Sequence, residues 1–433
     1  MPQNGQKIPF IKIFTNSLLV TGMTIGAGIL ALPIKTGMAG IVPSLVSMFL
    51  IWVLMLGTAM VFIYKFTHPK TRSRNYPTLF QNELGTKGRW VSVFGYLVNY
   101  YGILVAYLTG ASTILATLVP INIPVNIWML GFFVVLTGLA LLGADKAKNA
   151  NAFIMIAMIG AFGVLLFLSG SYIDVSRYNH KVWALMPTVM PIIIVAFAFH
   201  NVVPFLCKNL NGDQKASFKA VLIGSSMAII INILWMFVVV GTLPLAGPGK
   251  ATIISALQHD YPATIPLSLA LNNKMITLTG MVFALAAIIT SYIPTSVALR
   301  GFMRGIVSLH YKNPNKYVVL LLAYGPPFLV AMIYPDVFIK AVDIAGGFGI
   351  LIVFGILPSL IMIKMAKNRG KLFKIAAGIM IICFSVLMAF EIAQETGFLK
   401  LDSSKEYWRL VYPHKESRIT QNHQSIREPV LEK

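Results

Sequence analysis

The chain has 433 residues, 57% of them hydrophobic and only 11% charged, with a mean hydropathy of +0.77, whereas soluble globular domains carry about 25% charged residues. A water-soluble core is thereby excluded, and there is room for roughly ten or more membrane spans of ~20 apolar residues each. The formal charge of +21 comes from Lys and Arg placed between apolar runs, which is an orientation signal of membrane proteins and not the basic stripe of a nucleic-acid binder.

Apolar runs in chain order place spans at residues 13–34, 40–64, 90–118, 125–143, 150–170, 187–206, 217–243, 275–299, 316–334, 337–363 and 371–394. An all-α membrane protein of eleven spans is expected, with an N-terminal segment 1–12 and a polar, disordered tail 395–433. The first run opens after Lys7 and Lys12 without a small-residue cleavage site, so no cleavable signal peptide is expected. Alternate connections carry 22 basic residues against six on the other side, with seven more in the tail. That asymmetry predicts a multi-pass protein of a cytoplasmic (inner) membrane with a cytoplasmic N-terminus and a cytoplasmic segment 65–89. Segments 65–89 and 245–272 exceed the usual connection length and have room for small surface helices. Trp90, Trp128 and Trp183 stand at span ends, as interfacial aromatics do.

The first span carries a glycine cluster around Gly22, Gly26 and Gly28. Spacing alone leaves two readings open, close packing through small residues or a break that frees backbone groups. The sixth span reads Phe197-Ala198-Phe199-His200-Asn201 ahead of Pro204, and His and Asn at mid-membrane depth mark a functional site by default. Interruptions at spans one and six point to an inverted repeat of five plus five spans, 13–170 and 187–363, with a site between them and the eleventh span (371–394) peripheral.

Five motifs carry a family resemblance: Gly26-Ala27-Gly28-Ile29-Leu30-Ala31-Leu32-Pro33, Ala106-Tyr107-Leu108-Thr109-Gly110, Phe197-Ala198-Phe199-His200 with Pro204, Lys208-x-Leu210-x-Gly212-Asp213, and Val221-Leu222-Ile223-Gly224-Ser225 followed by Leu234-Trp235 and Leu243-Pro244. Together they resemble the hydroxy and aromatic amino acid permeases, from about residue 13 to 300. The resemblance implies the fold of the amino acid, polyamine and organocation superfamily and proton-driven uptake of tyrosine, tryptophan or phenylalanine. Many relatives carry a glutamate late in the second span and an acidic residue after the eighth. This chain reads Tyr64 and the stretch from Arg300 to Arg304 there.

A zwitterionic substrate needs donors for its carboxylate and acceptors for its ammonium, and half-helix ends supply both. Gly26, Ala27 and Gly28 are expected at the carboxylate, and the carbonyls from Ala198 to His200 at the ammonium, with Asn201 beside them. Tyr107, Phe197 and Phe199 are candidates to hold an aromatic ring. Thr290 and Ser291 place two hydroxyls in the eighth span; such groups usually bond their own helix. Their pattern also resembles the sodium site of sodium-coupled transporters of this fold, where they would meet carbonyls corresponding to Gly22 and Ile25. H+ is the expected coupling ion, with Na+ the alternative, and His200 is a further candidate to handle a proton. Asp343 is expected to pair with Lys340 near the surface or to relay a proton, and Glu391 to be interfacial.

Cys207 and Cys383 are the only cysteines, so neither a disulfide framework nor a metal cluster is expected, and no cofactor is implied. An intramembrane enzyme would need a nucleophile, a metal or a carboxylate pair in the bilayer. His200 has no acid beside it in sequence, so an enzyme is not expected. A channel would favour a repeated pore-lining ring over two interrupted spans.

Overall fold

The computed structural model describes residues 8–68, 76–141, 144–247, 249–309, 311, 313–367 and 369–399. The expected segment 1–12 and tail therefore lie largely outside the described residues. Among the described residues the chain is all helix, without a strand, as apolar spans that must satisfy their own backbone in lipid require.

Helices α1 (Phe10–Thr24) and α2 (Ala27–Ala39) form a pair bent by 58° across Ile25 and Gly26. They are followed by α3 (Ile41–Thr67) and by α4 (Tyr76–Leu118), which Gly85 interrupts at φ 72°. Next come α5 (Val125–Leu141), α6 (Ala144–Gly170), and α7 (Met186–Ala196) with α8 (Val203–Asn209), separated by an unwound stretch. Then follow α9 (Gln214–Thr242), the short α10 (Ile253–Gln258) and α11 (Thr264–Leu271), α12 (Lys274–Val307) and α13 (Lys316–Ile333). The chain closes with α14 (Phe338–Ile344), a π-helical stretch Ala345–Ile356, α15 (Leu357–Ala366) and α16 (Lys371–Glu395). Among the described residues eight helical segments are long and apolar enough to cross a membrane, and the bent pair makes a ninth. Two shorter apolar helices, Val125–Leu141 and Ile154–Gly170, stand where the fourth and fifth spans are expected.

The first expected span ends at residue 34, but α2 runs on to Ala39 and carries Lys35 into the interior, where it is 4% exposed. Pro33 lies inside this helix and cannot donate to the Ile29 carbonyl one turn back. The fully buried Trp235 fills that place, its Nε1 donating to Ile29 O at 2.9 Å, and the Ala263 amide donates to Leu30 O at 2.9 Å. A buried carbonyl left without a donor costs about 1–3 kcal/mol, so Trp235 and the α10–α11 segment hold α2 in place. That segment was expected to bear surface helices; instead Ile253, Ile265 and Leu267 are buried and Ile253 packs on Gly37.

Connections sort onto two faces. On one, Lys65 bonds Glu83 at 2.7 Å and Lys364 donates to Glu83 O at 2.6 Å; we call this the basic face. On the other, the Val182 amide donates to Ala39 O at 2.8 Å, and His180 Nε2 lies 2.9 Å from Met38 O.

Two polar contacts fasten α1: Thr21 donates to Gly224 O at 3.0 Å on α9, and Asn209 donates to Asn16 at 3.0 Å. Gly224 is thus where α1 and α9 approach closely, a packing role for the Val221 to Ser225 motif.

Candidate functional site

The two interruptions face each other. At the first, Ser291 Oγ on α12 donates to Ile25 O at 3.2 Å. The Tyr107 hydroxyl on α4 stands at the same break: a Cβ on Gly26 would lie 3.1 Å from it, and Tyr107, Ala27 and Thr295 line the same space. A break in a membrane helix exposes groups that need partners; here the Ser291 hydroxyl takes the Ile25 carbonyl, and the Tyr107 hydroxyl stands on the other side of the break.

At the second, α7 ends at Ala196 and the Phe197 amide bonds back to Ile193 O at 3.1 Å. A single 3-10 turn, His200–Val202, leads into α8, where Pro204 sits in the first turn. Gly28 closes the pair, since a Cβ there would stand 3.0 Å from the Ala196 amide nitrogen.

Between them lies a cavity of about 50 Å³, lined by Thr24, Gly26, Ala27, Gly28, Asn99, Tyr100, Ile103, Tyr107, Val195, Ala198, Asn201 and Thr295, among others. That volume holds only a few waters. Through Tyr100 and Asn201 it adjoins a second chamber of about 630 Å³, which reaches Gln81, Arg89 and Leu309 at the basic face. Only the second has the size of a small-molecule site, about 300–1,000 Å³. The chamber that adjoins the central cavity thus lies on the basic side; a third space of about 460 Å³, among Tyr172, Arg177, Thr242 and Leu271 at the opposite face, shares no lining residue with the central cavity.

Of the residues singled out in the sequence, Gly26, Ala27, Gly28, Tyr107, Ala198 and Asn201 meet at the cavity. Phe197, Phe199 and His200 are fully buried and are not among its lining. The His200 ring is stacked between Phe199 at 4.7 Å and Phe354 at 4.8 Å. Its Nε2 lies 2.9 Å from Thr58 Oγ1 and 3.0 Å from Met55 O; a carbonyl only accepts, which assigns the proton to Nε2. The Tyr76 hydroxyl donates to the His200 carbonyl.

Of the expected ion ligands, Ile25 and Ser291 come together. Thr290 Oγ1 instead donates to Ala286 O at 2.8 Å in its own helix, and its nearest cross-helix partner is Met158 Sδ at 4.0 Å. Gly22 faces Met155. Asp343 pairs with Lys35 at 2.8 Å and not with Lys340, which bonds Glu395. The cause is the extension of α2, which brings Lys35 inward. Glu391 is 3% exposed rather than interfacial. Among the described residues no group of three or more His, Cys, Asp or Glu could hold a metal ion.

Asn99, Tyr100, Ile103 and Thr295 were not picked out from the sequence. Asn99, a polar residue within an apolar run, and Thr295, beside Pro294, were the available signals. Tyr100 and Ile103 look like ordinary packing residues.

This fold and cavity define a polytopic helical membrane protein of the carrier type, with two interrupted spans around a buried chamber. The chain belongs to the tryptophan/tyrosine permease family, whose sequence model matches residues 11–394, a family of transport proteins and not enzymes. It is 26% identical over 341 residues to a tyrosine-specific transport system of Haemophilus influenzae, covering 77% of this chain and 84% of that protein. It is 24% identical over 367 residues to a tryptophan-specific transport protein of the same organism, covering 79% and 84%. Among solved structures, a manganese transporter of Eremococcus coleocola is similar with a TM-score of 0.56 at 15% identity, covering 94% of this chain and 92% of that chain. At that identity the likeness carries the fold alone.

Proposed function

We propose that this protein is a proton-coupled symporter that imports an aromatic amino acid, tyrosine, tryptophan or phenylalanine, across the cytoplasmic membrane. We read it as eleven spans, with 13–170 and 187–363 as inverted repeats, and the N-terminus and basic face cytoplasmic. The observation that carries the reading is the first interruption, where the Ser291 hydroxyl holds the Ile25 carbonyl and the Tyr107 hydroxyl stands against the start of α2. The substrate carboxylate binds at the Ala27 amide beside the Tyr107 hydroxyl, helped by the partial positive charge at the start of α2. At the second interruption the Phe199 carbonyl accepts from the Val202 amide and the His200 carbonyl from Tyr76. We therefore assign the ammonium to the Ala198 carbonyl and the Asn201 side chain. The aromatic ring extends toward Tyr100 and Ile103, where the cavity widens. Phe197, Phe199 and His200 support this wall from behind.

Uptake into proteoliposomes from a panel of amino acids tests the substrate. Aromatic amino acids are expected to be taken up and to compete with one another, and uptake confined to other amino acids would overturn the reading. For orientation, a cysteine at Arg89 is expected to resist an impermeant thiol reagent added outside intact cells, whereas one at Lys250 reacts. Outside labelling at residue 89 would reverse the topology.

His200 acts by position in this scheme. His200→Gln is expected to lower the uptake rate, through loss of ring packing on Phe354, and to leave the pH dependence of uptake as in the wild type. A shifted or flattened pH profile would show that the ring carries the proton.

Sodium coupling is the second reading, and the contact between Ser291 and the Ile25 carbonyl favours it. Against it, Thr290 is committed to its own helix beside Met158 and Met155, and thioethers are poor ligands for a hard cation.

A further inference from the structure

Toward the face opposite the chamber, where no cavity residue is shared with the central site, a set of charges lies inside the protein. Lys35 on α2 reaches Asp343 on α14 at 2.8 Å, and both are buried. Glu391 on α16 is buried too, with its carboxyl lying against Gly347, one turn beyond Asp343 on the tenth span. The charges acting on Glu391 are those of Asp343, Glu395, Lys35 and Lys340. Lys340 and Glu395 pair with each other nearer the surface, and the Lys340 amide donates to Asp260 Oδ1 at 3.1 Å. Asp260 and His259 stand on the turn between α10 and α11, while α7 and the π-helical stretch packed on α16 bring no ionisable side chain. Three helices thus enclose two carboxylates and one ammonium, and Lys35, Asp343 and Glu391 are all absent from the lining of the central cavity.

Fully ionised, this trio carries one net negative charge where burial of an uncompensated ion costs several kcal/mol. One proton on the carboxylate pair removes that charge. When the helices part, water solvates all three groups and the penalty disappears.

We propose that Lys35, Asp343 and Glu391 form a proton-binding site that locks the outer face: the carboxylate pair takes up one proton from outside as this face closes and gives it back as it opens. The proposal rests on the transport reading and orientation given above, and on neither the substrate nor the coupling ion. A site that binds its proton more tightly when closed stabilises the closed form as pH falls and loses that contribution as pH rises through its closed-state value. Asp260 acts in the same direction at the rim, because burial lifts its carboxyl to about 6.

The test reads closure directly. Ile253, packed on Gly37 under the closed face, is replaced by cysteine in the full chain lacking Cys207 and Cys383. Its alkylation from outside is measured in proteoliposomes between pH 5.5 and 8.5, relative to a cysteine at the exposed Lys250. The relative rate is expected to fall on acidification by up to about tenfold per pH unit, the limit for one proton. Glu391→Gln should give a low rate at every pH, and Glu391→Asp should restore a pH-dependent rate. Lys35→Met leaves two carboxylates without a cation and should move the closing midpoint to lower pH. Asp260→Asn should retain the pH dependence. A wild-type profile in Glu391→Gln overturns the proposal, as does one in Lys35→Met or loss of the dependence in Asp260→Asn alone. If aromatic uptake fails while closure still follows external pH, the substrate reading falls and the lock stands; aromatic uptake with pH-independent closure has the reverse meaning.

Discussion

Replacing Gly26 with valine is expected to abolish uptake while leaving the amount of protein in the membrane unchanged. A Cβ at this position would stand 2.9 Å from Ser291 Oγ and 3.1 Å from the Tyr107 hydroxyl, and valine adds two methyl groups beyond it. Ser291 holds the Ile25 carbonyl and Tyr107 stands against the start of α2, so displacing them disturbs both sides of the break together. Misplacing a site by about 1 Å can cost on the order of 100-fold. Gly26→Ala should be milder, because the Ser291 side chain can rotate away. Gly28 has no such outlet, since a Cβ there would meet the Ala196 backbone at 3.0 Å and 3.1 Å. Gly28→Ala must therefore push α2 away from α7. Gly131→Ala and Gly160→Ala serve as controls, because nothing lies within 4 Å of the added atom. Initial rates of aromatic amino acid uptake, normalised to protein in the membrane, measure all five. Wild-type rates in Gly26→Val would return the glycine to mere packing.

The spans were legible because burial in lipid writes itself as long apolar runs, and both interruptions were legible as small or polar residues inside those runs. The glycine cluster left packing and breakage undecided, and the structure resolves it residue by residue. Gly22 and Gly28 approach neighbours, whereas Gly26 sits at the break itself. What could not be read depends on contacts between distant segments. Lys35 looked like a loop residue because the apolar run stops before it, yet a helix continues wherever a tertiary partner supplies what sequence lacks. Here Trp235, 206 positions away, donates to Ile29, and Asp343 receives the charge. The π-helical stretch Ala345–Ile356 was equally hidden. Its glycines fit against Asn99, Glu391 and Phe384, and nothing in a glycine-containing apolar run distinguishes π from α winding. His200 stands out in the sequence as a polar residue inside an apolar run. Its ring nevertheless serves the wall behind the cavity, held by Thr58 and Phe354, because polarity in a span reports a partner without saying whether that partner is substrate or protein.

Collapsing the proton gradient is expected to abolish accumulation of the substrate, and replacing sodium with choline at fixed pH is expected to leave it intact. The geometry gives the reason. A sodium ion at the first interruption would need several oxygens from α1 and α12 turned inward together. Ser291 and the Ile25 carbonyl satisfy that demand. The Thr290 hydroxyl does not, because it donates to Ala286 O at 2.8 Å and lies 3.2 Å from Ala287 O, and the α6 side of the site is lined by Met155 and Met158. Substitution separates the two hydroxyls. Thr290→Val, which keeps the volume and removes only an internal helix bond, should leave uptake near wild type in either medium. Ser291→Ala removes the donor to the Ile25 carbonyl, and so should reduce uptake equally with sodium or choline outside. Uptake that survives a protonophore and fails in choline would reverse the assignment. Thr290→Val would then be expected to raise the sodium concentration needed for half-maximal transport, because Thr290 would have turned from its own helix to the ion.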